Sequence, residues 1–248
     1  MISIKSPREI ELMRIAGRIV AETLELLSKA IRPGITTLEL DAIAEEYIRK
    51  SGAIPAFKDY NGFPASICSS INEQVVHGIP GPIALKDGDI IGIDIGAVYD
   101  GYYGDAARTY GIGNIDKETE RLIKVTEESF FKGIEYALPG NRLSDISHSI
   151  QKHVESNGFS VVRDFVGHGI GRRMHEDPQI PNYGLPHKGP RLAAGMALAI
   201  EPMVNQGRYA VKIREDGWTV VTADGKPSAH YENTIVITNG KPEILTLL

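Results

Sequence analysis

The pattern that most constrains how this chain can fold is one that occurs twice. Pro33 and Gly34 close one amphipathic helix and precede another, in which Leu40, Ala44 and Ile48 recur at i, i+4, i+8 before a stop near Gly52. Pro139, Gly140, Ile146, Ile150, Val154 and Gly158 repeat that series at one ungapped offset of 106 residues. Helices of similar length share some apolar positions by chance, which is one explanation; an internal duplication is the other. The duplication gains from a further correspondence: Asp94, in an apolar strand-like run, is followed 107 residues later by Glu201 in another, ALAIEPMV.

The order of elements sets the class. Ser6, Pro7 and Glu9 form a capping box ahead of Ile10, Met13, Val20, Leu24 and Leu27, and Thr36 with Glu39 opens the second helix in the same way. Helices that cluster in sequence and are followed by strands predict an α+β fold with mostly antiparallel sheet. Two halves, about 1–112 and 113–248, make one domain, and the Pro- and Gly-rich stretch 178–191 reads as an ordered loop of the second.

Charge and cysteine usage exclude several classes of function. A net charge of −5 over 248 residues offers no basic face for nucleic acid or an anionic membrane. No apolar run approaches the roughly 18 residues that a membrane helix needs, and the N-terminus shows no signal-peptide pattern. The single cysteine, Cys68, rules out a disulfide within the chain and points to a reducing cytoplasm.

The stretch IDIGAVYDGYYGDAART, residues 93 to 109, reads as a buried hairpin with acids inside apolar runs. Asp100-Gly101 is a two-residue type I′ turn signal, which pairs Tyr99 with Tyr102 and Gly96 with Asp105. Side chains alternate along a strand, so Asp94, Gly96 and Asp105 share one face, with the two acids diagonal at about 7 to 8 Å between Cα atoms. Buried carboxylates need a partner: either they converge on a cation, or one is met by Arg108. Gly96 is read as leaving open space opposite Asp105. Asp100 is the turn acid and carries no chemistry.

Three further segments bring ligand-type side chains: FVGHGIGRRMHEDP with His168 and His175, ALAIEPM with Glu201, and HYENTIVIT with Glu232. Four carboxylates and one imidazole suit divalent Mn, Fe, Co or Zn, and lack the thiolates of a structural zinc site. Two ions sharing carboxylates polarise a carbonyl and activate water, which is hydrolase chemistry.

Taken in order, INEQVVHGIP, IDIGAVYDGYYGDAART, GHGIGRRMHEDP, AIEPM and HYENT resemble the type I methionine aminopeptidases, and the resemblance covers about residues 4 to 246. It implies the pseudo-two-fold pita-bread fold, an antiparallel sheet covered by two pairs of helices, forming a single catalytic domain with a dinuclear metal centre. Motif by motif, Asp94, Asp105, His168, Glu201 and Glu232 fall on the metal-ligand positions, Asp105 and Glu232 as bridges. His77 and His175 fall on substrate-contacting positions. The implied roles are proton relay by Glu201, oxyanion stabilisation by His175, peptide contact by His77 and capture of the free α-amine at the metal. Tyr60, Phe63, Cys68, Met174 and Trp218 are the implied methionine pocket; some members carry an aromatic residue at the Met174 position. The expected substrates are peptides and nascent chains whose initiator methionine precedes a small residue, met near the ribosome by a monomer.

The remaining histidines receive no role. His148 and His153 fall on the helix after Pro139, while His187 and His230 are candidates only for supporting the ligands. Cys68 reads as a small buried hydrophobe rather than a nucleophile. Two alternatives share the implied fold: a Pro-specific aminopeptidase or prolidase, usually built with a further N-terminal domain, and a metal-free binding module, which typically loses ligands.

Overall fold

The computed structural model describes residues 2–248. Both sequence-predicted capping boxes form: the Ser6 and Thr36 side chains accept from the Glu9 and Glu39 N–H groups, and each glutamate reaches back to its cap. They open α1 (Pro7–Ala30) and α2 (Thr37–Lys50). Helix α1 stops before Pro33, because Ile31 is already extended, with φ −62° and ψ 120°. Two more helices follow, α3 (Lys117–Ile134) and α4 (Leu143–Ser156).

Helix α4 has the length of α2, and both its ends are displaced by the offset read from the sequence. Leu40, Ala44 and Ile48 are fully buried, as are Ile146, Ile150 and Val154. The backbone around them repeats too. Gly34 and Gly140 have φ 93° and 92°, Gly52 and Gly158 77° and 80°, all left-handed values that favour glycine. Gly34 donates to the Leu85 carbonyl and Gly140 to that of Leu192, and bridges join Thr36 to Ala84 and Arg142 to Arg191. Correspondence at this level is pseudo-two-fold symmetry, which chance amphipathicity does not produce.

The first half supplies β1 (Ile54–Pro55), β2 (Ile67–Ile71), β3 (Gln74–Val76), β4 (Ile90–Tyr99) and β5 (Tyr102–Gly111). The second supplies β6 (Ser160–Val161), β7 (Gly167–Gly169), β8 (Glu176–Ile180), β9 (Ala197–Ile200), β10 (Met203–Asn205), β11 (Val211–Ile213), β12 (Val220–Thr222), β13 (Ser228–His230), β14 (Asn233–Val236) and β15 (Glu243–Ile244). These strands pair antiparallel throughout: β1-β4-β2 with β5 on β4, β15-β14-β9-β7-β8, and the smaller sheets β13-β10-β6 and β11-β12-β3. Strand β8 takes in the start of the stretch read as a loop, through Ile180.

One apolar cluster packs α1 and α2 on β4 and β5, and a second packs α3 and α4 on the strands of the other half. The two halves meet where β5 runs beside the chain at Glu232. Ala107 donates to the Glu232 carbonyl (3.3 Å) and Glu232 to that of Ala107 (3.0 Å). The Thr234 hydroxyl donates to the Asp105 carbonyl at 2.9 Å. This junction puts acids from different halves side by side.

Candidate metal centre and substrate pocket

The hairpin has the register that its turn predicts. Tyr99 faces Tyr102, Gly96 faces Asp105 and Asp94 faces Ala107. Asp100 and Gly101 both take positive φ, 47° and 78°, as a type I′ turn requires. Arg108 does not meet the acids. Its guanidinium donates to the Glu232 carbonyl (2.6 Å) and to Asn233 Oδ1 (2.7 Å), and stacks over Tyr231, 4.2 Å from the ring centroid. Gly96 has a different reason from the one expected: a Cβ there would lie 2.8 Å from both Ala56 Cβ and Phe57 Cε1. The neighbouring chain fills the space, so glycine permits close packing of the pocket wall and does not leave the acids room.

All the residues singled out from the sequence line one cavity of about 210 Å³: Asp94, Asp105, His168, Glu201, Glu232, His77, His175, Tyr60, Phe63, Cys68, Met174 and Trp218. Strands β4 and β5 deliver the two aspartates, β7 delivers His168, and Glu201 and Glu232 lie beside the ends of β9 and β14. Ligand atoms of Asp105, His168 and Glu232 lie within 4.8 Å of one another, as do those of Glu201, His230 and Glu232. His168 Nε2 stands 3.5 Å from Glu201 Oε1 and 3.9 Å from Asp105 Oδ2. Its Nδ1 is 2.9 Å from the Gly169 carbonyl. A carbonyl only accepts, so the proton sits on Nδ1 and Nε2 turns its lone pair toward the carboxylates.

The electrostatics call for a cation. Burial pushes Asp105 and Glu232 well above the usual carboxylate range, aided by the charges on Asp94 and Glu201 at the first and on Asp105 and Glu201 at the second; burial, then the charge on Asp94, does the same to Glu201. Asp94 is pushed up to about 7, chiefly by burial. Burial lowers His168 to about 4 and His230 to about 3, so both imidazoles are neutral at pH 7. Asp94 Oδ1, Asp105 Oδ1, Glu232 Oε1 and His230 Nε2 are buried without a hydrogen-bond partner. Oxygen and imidazole donors of this kind, orphaned and facing one another, fit divalent ions.

Beside these donors the cavity is apolar and aromatic. Phe63 meets Trp218 edge to face at 5.2 Å, and Cys68 and Met174 are buried against them. Burial raises the Cys68 thiol, so it is protonated and inert, in keeping with a wall residue. His175 lies against His168, ring centroids 4.4 Å apart. His77, at φ 59°, packs edge-on to Phe165 and is lowered to about 4, mainly by burial.

Sequence reasoning missed two residues here and left a third, His230, as no more than a candidate for supporting the ligands. Phe57 and Asn61 line the cavity from irregular chain that carries no periodic signal. His230 lies 3.8 Å from Glu201 and 3.9 Å from Glu232; its place two residues before Glu232, hence on one face of an extended run, was the available clue. The other histidines stand apart: His187 pairs with Asp145 at 3.0 Å, His148 lies 3.1 Å from the Gly184 carbonyl, and His153 lies 3.2 Å from Glu128.

Buried acids and neutral imidazoles gathered at the junction of two similar halves define a metal-binding protein, and comparison with known proteins shows of which family. Residues 11–239 match metallopeptidase family M24, and the chain belongs to that family. It is 65% identical, over the whole of both chains, to the methionine aminopeptidase of Clostridium perfringens. The crystal structure of methionine aminopeptidase from Thermotoga maritima superposes with a TM-score of 0.99 at 51% identity, covering 100% of each chain. An Xaa-Pro dipeptidase from Bacillus anthracis shares the fold alone, with a TM-score of 0.78 at 23% identity over 98% of this chain and 61% of that one.

Proposed function

We propose that the chain is a metal-dependent aminopeptidase that hydrolyses the bond after an N-terminal methionine, on peptides and nascent proteins with a small second residue. The observation that carries this reading is the junction of two environments in one cavity: a cluster of buried acids with His168, and against it a closed wall of Tyr60, Phe63, Cys68, Met174 and Trp218. Thioether and aromatic groups suit a methionine side chain, because sulfur contacts ring edges favourably.

Asp94, Asp105, His168, Glu201 and Glu232 would hold two divalent ions; Co, Mn, Fe or Zn all suit the donors. Such ions supply Lewis-acid polarisation of the scissile carbonyl and activation of water near neutral pH. The protein's own groups do the rest. Glu201 takes a proton from the attacking water and passes it toward the leaving amine. His175 donates to the oxygen on which negative charge develops, and His77 contacts the peptide beyond it.

The unit that does this is one catalytic domain of two halves, about 1–112 and 113–248, since each half contributes acids to the site. It acts as a monomer, because a single chain completes the cavity. A cytoplasmic location, close to the ribosome where initiator methionine first emerges, fits the single buried, unpaired Cys68. No helix among the described residues is long and apolar enough to cross a membrane.

The test uses protein reconstituted with each divalent ion and three substrates: Met-Ala-Ser, its N-acetylated form and an Xaa-Pro dipeptide. Release of methionine from the free tripeptide alone is the expected result. Equal cleavage of the acetylated peptide, preference for the Xaa-Pro bond, or turnover without metal would overturn the assignment.

A further inference from the structure

Tyr60 walls the side-chain cavity, yet its hydroxyl is engaged elsewhere, 2.8 Å from Nδ1 of His175. The two rings lie 5.4 Å apart between centroids, tilted by 49°. The turn that presents Tyr60 is held in a costly shape: Asp59 and Asn61, on either side, take left-handed φ of 66° and 51°. Backbone bonds over-determine it, from Tyr60 to the Phe57 carbonyl (2.9 Å), from Asp59 to that of Phe63 (2.8 Å) and from Phe63 to that of Tyr60 (3.0 Å). Left-handed non-glycine residues persist where surrounding structure enforces them, and they gather at functional sites.

A neutral imidazole has one N–H, and the partner of one nitrogen decides which nitrogen carries it. If the phenol donates into Nδ1, the proton is confined to Nε2. In the other tautomer Nε2 would present a lone pair, which repels a developing oxyanion. We propose that Tyr60 is a positioning residue for His175: its O–H donates to Nδ1 and keeps the ring proton on Nε2, ready to be donated to the reacting carbonyl oxygen. This rests on the reading of His175 given above. It makes the methionine pocket and the oxyanion donor one connected piece, since the same Tyr60 side chain belongs to both.

The experiment is a double-mutant cycle on Met-Ala-Ser with Tyr60→Phe and His175→Ala, together with ring ¹⁵N NMR of the zinc-loaded protein. Tyr60→Phe keeps the aromatic wall, so KM should stay within about twofold while kcat falls about tenfold, as for one lost hydrogen bond. His175→Ala should lower kcat by about 10² to 10³. In the His175→Ala background, Tyr60→Phe should change kcat by less than about twofold, because the hydrogen bond it removes is already gone and the aromatic wall is kept. NMR should find His175 protonated at Nε2 in the parent protein and a tautomer mixture in Tyr60→Phe. An unaltered kcat in Tyr60→Phe, an equal loss in both backgrounds, or an Nδ1–H ring in the parent would overturn the proposal. If His175→Ala itself keeps full kcat, the assigned role of His175 fails instead, and the tautomer is still decided by NMR.

Discussion

Two acids of one hairpin, five residues apart, should respond oppositely to the same chemical change. Asp105 is buried, its Oδ1 has no hydrogen-bond partner, and Oδ2 faces His168 Nε2 at 3.9 Å. Asp100 lies exposed in the turn at φ 47°, which asparagine also tolerates. On the proposed assignment of Asp105 as a ligand, Asp105→Asn replaces an ion-holding anion with a neutral amide, which should weaken divalent-ion binding about a hundredfold, or about 2.7 kcal/mol. Thermal shift reads this directly. At an ion concentration 100 times the parent Kd, binding stabilises the parent by about 2.7 kcal/mol; for the weakened variant the same concentration equals Kd and gives only about 0.4 kcal/mol. A chain of this length gains roughly 2 to 4 °C per kcal/mol. Metal should therefore raise the parent Tm by about 5 to 10 °C and that of Asp105→Asn by about 1 °C. The metal-free variant should melt no lower than the metal-free parent, because one buried, repelling acid is gone. Asp100→Asn should match the parent throughout. A full metal-induced shift in Asp105→Asn, with a lost one in Asp100→Asn, would refute the register, the shared face and the metal assignment together.

Three further outcomes follow from particular contacts. Lys5 and Glu176 form a largely buried pair at 2.6 Å, so Lys5→Met, which leaves the carboxylate only the Ser3 hydroxyl and the Arg173 N–H as donors, should cost about 1 to 3 kcal/mol in urea unfolding; Lys5→Met with Glu176→Leu should cost less, and a larger loss in the double variant would contradict the pairing. Glu45 is held down to about 2, first by Lys58 and then by Arg49 and Ser66. A depressed carboxylate stabilises above its unfolded pKa and loses that contribution as pH falls through its folded one, so the stability difference between parent and Glu45→Gln should shrink from pH 4.5 to about 2; a constant difference over that window would rule this out. Gly96→Ala should destabilise by about 1 to 3 kcal/mol through overpacking on Ala56 and Phe57, without altered ion affinity in calorimetry; weakened metal binding at full stability would restore the original reading of that glycine.

What the sequence revealed and what it hid divide along physical lines. The caps of α1 and α2 were legible because an N-cap and the residue three places on satisfy each other locally. Hairpin register was legible because a two-residue turn fixes every pair behind it, through to Asp94 against Ala107. The reason for Gly96 was not, because its neighbours Ala56 and Phe57 arrive from chain some 40 residues away, through an irregular segment. Equally hidden was the true partner of Arg108, a carbonyl at Glu232, since backbone acceptors leave no trace in residue identity.

The symmetry also explains why the acids could be found while the chemistry around them could not. Asp94 and Glu201 hold corresponding places in the two halves, and the backbone contact of Ala107 with Glu232 brings acids of both halves together at the junction. That alone yields converging carboxylates, whose repulsion then requires cations. Everything that distinguishes one side of the ions from the other breaks the symmetry. His168 occupies one flank of Glu201 and His230 the other, 3.5 Å and 3.8 Å away, and neither has a counterpart at Asp94 among the neighbours described. The aromatic wall comes from the first half's turn at Tyr60 to Phe63 and from Trp218 in the second. The shared frame thus accounts for the cluster of acids, and the departures from it account for the sides on which the proposed function places a substrate's side chain and its carbonyl oxygen. A change in the frame, such as Asp105→Asn, should therefore act on ion affinity, and a change in the departures, such as Tyr60→Phe, should act on turnover with the ions still bound.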